Sequence, residues 1–189
     1  KAIKKRLAVS HPNLLNLLDY AAGRKKEFCS SFYWVKLFFE LPSTDARFQA
    51  SNRKREGKNF TNEELTHMLY NTVSGGAHLQ RNGINHGSIA PYSIAMDGPT
   101  QYKLIENFGE LSKPQDNQIQ RIMSGKSHFA SPEKYENTRN KKLNLATDAN
   151  KNDVWGLGLS ILELGNAKTV RDIYNKTFCT LCQCSTNTM

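Results

Sequence analysis

Hydrophobic and polar positions change rhythm several times along this chain. In Ser31–Glu40 (SFYWVKLFFE), Tyr33, Val35, Leu37 and Phe39 fall on alternate positions among other aromatic residues. A period of two in β-branched and aromatic residues predicts a strand with one face to bury. The earlier run Leu14–Tyr20 (LLNLLDY) is apolar but too short for its period to separate strand from helix. Joined by a basic linker, the two runs make a hairpin, which Pro42 ends because proline cannot donate to a ladder.

From Phe60 to Gly83 the rhythm is helical. Leu65, Met68, Leu69, Thr72, Val73 and Gly76 recur at helical spacing and define a face to bury. Thr61 and Glu64 have the spacing of a capping box, in which each side chain satisfies a free backbone N–H at the helix start. Phe60 and Leu65 are spaced as a hydrophobic staple, and Gly83 supplies a stop. Gly75 and Gly76 each weaken the helix interior by about 1 kcal/mol relative to alanine, unless they admit a close neighbour.

Further on, the pattern predicts a short strand near Ile94, a turn at Asp97–Pro99 and a strand over Tyr102–Glu106. Residues 107–150 carry little periodicity and many turn formers, as in a long functional loop. Asn152–Asn166 is apolar nearly all round, which predicts a helix buried at a core centre and ended by Gly165 and Asn166. After Ala167 only Val170–Tyr174 reads as helical, and there is no internal repeat.

The 189 residues suffice for one domain, and 38% hydrophobic with 23% charged residues excludes disorder throughout. The longest apolar run, Phe32–Leu41, is interrupted by Lys36 and Glu40, so no membrane span is expected. KAIKKRLAVS leads into no signal-peptide core, so the expectation is a soluble intracellular protein, cytoplasmic or cytoskeletal, with an organelle as the alternative. The net charge of +9 concentrates in KAIKKR, Gly23–Glu27, Arg53–Lys58 and Asn137–Leu143, the last three of which the pattern places in loops. Such runs are solvated charge or face an anionic partner: an acidic protein surface, a nucleic acid or a membrane face. No aromatic interleaving or nucleic-acid motif accompanies them, so no specific nucleic acid is expected. Cys29 stands alone, while Cys179, Cys182 and Cys184 lack a fourth zinc ligand nearby; reduced thiols are favoured over a metal site or a disulfide.

These pieces resemble, in order and spacing, a eukaryotic protein kinase domain from about Ser10 to Gly165. HPNLLNLLDY (His11–Tyr20) resembles the start of the fourth strand, and YWVKLFFELPS (Tyr33–Ser43) the fifth strand and hinge, with Glu40, Leu41 and Pro42 where an adenine would touch backbone. Phe60–His86 resembles the long helix leading to the catalytic loop, and HGSIAPYSI (His86–Ile94) stands where the family has H-R-D-L-K-P-x-N-I. KLIENFG (Lys103–Gly109) matches the strand ending in D-F-G, FASPE (Phe129–Glu133) the A-P-E end of the activation segment, and Asn152–Leu164 the central helix. The resemblance implies an α+β, kinase-like fold: a partial N-lobe of antiparallel strands over 1–42 and a mainly helical partial C-lobe over 43–189. No glycine-rich loop precedes HPN. Lys1–Val9 resembles the end of the regulatory helix rather than the V-A-I-K strand, since His11 follows Ala2–Lys4 too closely, and the frame reads as incomplete at both ends.

Phosphoryl transfer relies on positioning and charge neutralisation. By resemblance, Ser88 replaces the aspartate base, Ala90 the lysine on the γ-phosphate, Ser93 the magnesium-binding asparagine and Asn107 the D-F-G aspartate, while Gly87 replaces the loop arginine. Phe108 and Gly109 complete that motif. His86 and Asp153 are implied as architectural, and Glu133 as the partner of a late arginine that has no clear match here. The resemblance thus implies a pseudokinase: no catalytic residue, no ATP or magnesium, and a scaffold role binding proteins in an assembly. The competing readings are an atypical kinase that recruits Glu106, and a non-catalytic nucleotide-binding switch.

Overall fold

The structure, a computed structural model, describes residues 2–27, 30–98, 100–105, 129–140, 149–170, 174–175 and 180–181. It is mixed α and β. Helix α1 (Ala2–Leu7) leads to the hairpin β1 (Leu17–Glu27) and β2 (Ser30–Phe39), followed by β3 (Thr44–Asp45), α2 (Ala46–Arg55) and α3 (Asn62–Arg81). A 3-10 turn (Pro91–Ser93) precedes β4 (Ile94–Met96) and β5 (Tyr102–Leu104). Helices α4 (Pro132–Arg139) and α5 (Ala149–Asn166) come next, then β6 (Tyr174–Asn175) and β7 (Thr180–Leu181).

All three sheets are antiparallel: β1–β2, β3–β4–β5 in that order, and β6–β7. Leu14 and Leu15 join the segment before β1 to β5, with Leu15 N–H donating to Leu104 O at 2.9 Å and Leu104 N–H to Asn13 O at 2.9 Å. The core lies where α3 crosses β4 and β5. Met68, Leu79, Ile94, Tyr102, Leu104 and Leu164 meet there. Arg6 is buried beside this core, its guanidinium donating to Val9 O at 2.6 Å and Leu15 O at 2.8 Å; a buried cation is tolerable only with such acceptors.

Helix α3 begins as its capping box requires. Thr61 N–H donates to Glu64 Oε2 at 2.8 Å, and Glu64 N–H to Thr61 Oγ1 at 3.2 Å. Phe60 is buried, Leu65 packs against the same cluster, and Gly83 has φ +60 just beyond the helix end. The buried face, however, is rotated from the expected one: Met68, Thr72, Gly75 and Leu79 are inside, while Leu69 and Val73 are exposed. Gly75 explains the rotation. A Cβ there would stand 2.4 Å from Asn13 O, so the helix meets the Asn13 backbone along its glycine stripe.

Other expectations change with the structure. The basic segment Gly23–Glu27 belongs to β1, and Arg53–Arg55 form the last turn of α2, so neither is a loop. Asn137–Arg139 likewise lie in α4, inside a stretch read as loop. Helix α2 had no apolar rhythm to announce it; its sign was Asp45, whose carboxylate accepts Phe48 N–H at 2.9 Å. The predicted face of strand β2 is only partly covered: Leu37 and Phe39 are half-buried, while Tyr33 and Val35 are exposed alongside Phe32 and Phe38 on the other face. Its register sets Arg24 opposite Tyr33 and Lys25 opposite Phe32, with each cation over its partner's ring. Helix α5 buries Leu157, Leu159 and Leu164 but exposes Val154 and Leu162, so it is one-sided. Tyr174 lies in β6 rather than in a helix. Asn107, Phe108 and Gly109, like Glu106 and the cysteines Cys29, Cys179, Cys182 and Cys184, fall outside the described residues.

Candidate functional site

The loop between α3 and the 3-10 turn is held from across the fold. Asp153, on α5, accepts two backbone N–H groups through one oxygen, those of His86 and Gly87, each at 3.1 Å to Oδ2. Its Oδ1 is buried and has no hydrogen-bond partner among the described residues. Burial pushes the Asp153 carboxyl up, against the pull of His86, the two backbone donors and Lys134. The His86 ring is spoken for at both nitrogens. Ser88 N–H donates to Nδ1 at 3.3 Å, so the proton belongs on Nε2, which lies 2.9 Å from Ile105 O. Both ring nitrogens are thus engaged by backbone groups.

Ser88 and Ser93 face different surroundings. Ser88 Oγ lies 3.4 Å from the Tyr92 hydroxyl. Ser93 is buried, and its Oγ donates to Ala90 O at 2.8 Å while accepting Ala90 N–H at 2.9 Å. That hydroxyl closes the 3-10 turn on itself. Ile105 N–H then donates to Ser93 O at 2.8 Å and ties the turn to the end of β5. Ala90 is fully buried and supplies no charge.

The hinge positions form a separate cluster. Glu40 Oε1 accepts Asn16 N–H at 3.1 Å and Lys103 Nζ at 2.8 Å, and Oε2 accepts Asn16 Nδ2 at 3.1 Å. Burial alone would raise the Glu40 carboxyl, but the Lys103 and Asn16 donors outweigh it and hold it below its ordinary value. Lys103 is raised in turn, first by its hydrogen bond to Glu40. Asp97 Oδ2 lies 3.5 Å from the same ammonium. Leu41 is exposed and Pro42 half-buried.

From α4, Lys134 Nζ donates to Gly87 O at 3.1 Å, and Asn152 Nδ2 to the same oxygen at 3.3 Å. Sequence reading singled out Glu133 and passed over its neighbour. Glu133 is exposed and makes no ion pair with a described residue, whereas Lys134 reaches the loop. Asn152 also accepts Ser131 N–H through Oδ1 at 3.1 Å, linking the Ala130–Ser131 corner to α5. The arrangement therefore brings His86, Gly87 and Asp153 together and leaves Glu40 and Glu133 outside that knot.

The described groups match poorly to a magnesium-nucleotide site. Ser93 has committed its hydrogen and one acceptor position to Ala90, and Ser88 is a neutral hydroxyl. A hard divalent cation bound with phosphates calls for carboxylate oxygens, and none stands at these positions.

No protein-family model matches the chain. It is similar to the cyclin-dependent kinase B2-2 of Arabidopsis thaliana, 25% identical over 104 residues. That stretch is 55% of this chain and 32% of the relative, so the chain spans about a third of the length of the curated relative it matches. The similarity is a distant kinase-like relationship, and the mixed fold with antiparallel sheets is compatible with it. Among the described residues, no helix is long and apolar enough to cross a membrane.

Proposed function

We propose that this chain is a catalytically inactive kinase-like domain, a pseudokinase, that serves as a protein-binding scaffold in a larger assembly. One observation carries the reading. Asp153 keeps hold of the His86–Gly87 backbone, while the loop's own side chains at the positions matched to base, phosphate cation and metal ligand are a neutral serine, a methyl group and a hydroxyl committed to a turn. Binding surfaces need the frame; phosphoryl transfer needs the charges. Removing one such charge from a kinase-type site costs about 3 kcal/mol of transition-state stabilisation, and several are replaced here by resemblance. ATP and magnesium are accordingly not part of the proposed function. The basic surface favours partners with acidic faces, inside the cell, with the cytoplasm or cytoskeleton as the setting.

The test is magnesium-dependent transfer from labelled ATP, assayed with the full chain, beside a thermal melt with and without ATP and magnesium. The expected result is no transfer and no shift of the melting temperature. Turnover that vanishes when a bulky side chain is placed at the hinge would overturn the proposal.

A further inference from the structure

A cavity of about 720 Å³ opens between α2, the loop before α3, the 3-10 turn and the end of α5. Its size lies within the usual ~300–1,000 Å³ range of ligand sites. Its floor is apolar, formed by Phe60, Pro91, Leu164 and Val170, all buried. Its rim is cationic. Arg47, Ala50, Ser51 and Lys54 line one wall at the spacing of a single helical face, and Lys58 and Lys168 stand on other segments.

Several charges on or beside the lining already have a partner. Arg53 grips Glu64 with both terminal nitrogens, at 2.7 and 2.5 Å. Glu163, the one carboxylate among the described lining residues, keeps its charge and accepts Val170 N–H at 2.7 Å, against five arginines and lysines on the same lining. Lys58 lies 3.1 Å from Glu56, both exposed to water. Arg47 and Lys54 are exposed and make no ion pair with a described carboxylate. An apolar hollow edged by two uncompensated cations on one helix face selects a group that is both anionic and partly apolar.

We infer that this cavity docks an acidic segment of a partner protein, with carboxylates at Arg47 and Lys54 and an apolar side chain on the Phe60–Leu164 floor. The inference rests on the protein-binding reading above and names the chemistry of the partner. A nucleic-acid strand fits less well, because a phosphate backbone follows a track of cations whereas here the cations ring an apolar concavity.

The experiment uses the full chain and a fluorescent synthetic peptide of alternating glutamate and phenylalanine, read by anisotropy at low and moderate salt. Matched peptides with glutamine or lysine in place of glutamate serve as comparisons. The glutamate peptide is expected to bind, more tightly than both others, and to weaken as salt rises. Arg47→Glu with Lys54→Glu should weaken it by on the order of tenfold, since each rim charge contributes modestly. The hairpin variant Lys25→Glu with Lys26→Glu makes the same change in net charge and should leave binding intact. Equal affinity for the glutamine peptide, no loss in the Arg47/Lys54 variant, or displacement by a lower concentration of single-stranded oligonucleotide would each overturn the inference. The ATP-transfer assay is independent of this result. A chain that transfers no phosphate yet ignores the peptide loses this docking site and keeps the inactive-domain reading.

Discussion

Asp153 and His86 lie 67 positions apart, yet the carboxylate of one accepts the backbone N–H of the other at 3.1 Å. The same oxygen holds Gly87, so one side chain fixes the course of the loop. Asp153→Ala leaves two partly buried N–H groups without an acceptor and should cost about 2 kcal/mol of stability. Asp153→Asn keeps a carbonyl for them and should cost about half as much. Burial raises the Asp153 carboxyl above its ordinary value, so the folded state holds this proton more tightly than the unfolded one. Its own share of stability therefore falls as pH rises through that interval, and the asparagine variant should lose this dependence. Denaturant melts across pH check both statements.

Glu64 behaves in the opposite sense. Its hydrogen bonds from Arg53, with those of the capping box, draw the carboxyl down from 4.5 to about 2. The stability it contributes is present above 4.5 and is lost as pH falls toward 2. Glu64→Gln should cost about 1–2 kcal/mol at neutral pH and flatten that acid limb, as urea titrations at several pH values would show. The loss also loosens α2 from α3, because Arg53 bridges the two and lies over the Phe60 ring at 4.3 Å.

Gly75→Ala tests the rotated face of α3. On an exposed helix the change would add about 1 kcal/mol of stability. Here the new methyl would sit 2.4 Å from the Asn13 carbonyl, a backbone atom with no rotamer to escape through. A net loss of about 1–3 kcal/mol is expected in thermal melts. Gly76→Ala, whose methyl would meet only Leu104 at 3.8 Å, should be neutral or stabilising.

Lys103→Met probes the hinge cluster. It removes the 2.8 Å ion pair to Glu40 while keeping an aliphatic stem. Glu40 retains its two Asn16 donors, so the expected cost is about 1 kcal/mol. Its carboxyl should move up toward the ordinary range, a shift measurable by carbon NMR of the labelled glutamate.

Elements with a local signature were legible from the chain alone. The capping box at Thr61 and Glu64, the staple at Phe60 and Leu65, and the stop at Gly83 all depend on neighbours in sequence, and all appear in the structure. The buried face of α3 was not legible, because it is set by the Asn13 carbonyl, over sixty positions upstream of the helix's small residue. Helix α2 was hidden because its cavity-facing side carries Arg47, Ser51 and Lys54 rather than an apolar stripe. At the loop, motif order led to His86, Ser88, Ser93 and Asp153, but side-chain identity could not say that Ser93 bonds back to Ala90 or that Lys134 reaches Gly87. Those facts belong to tertiary geometry.

The β1–β2 ribbon carries a practical consequence for handling the protein. Phe32, Tyr33 and Trp34 stand in water beneath the cations of Lys25, Arg24 and Lys36, which lie 5.9, 5.7 and 5.6 Å from the ring centres. Mutual repulsion between these cations keeps one ribbon from adhering to the next in dilute buffer. Concentrated salt shortens the reach of that repulsion while leaving the rings as sticky as before. Purification in strong brine therefore invites clumping through this arm, and gentle ionic conditions should yield the cleaner solution.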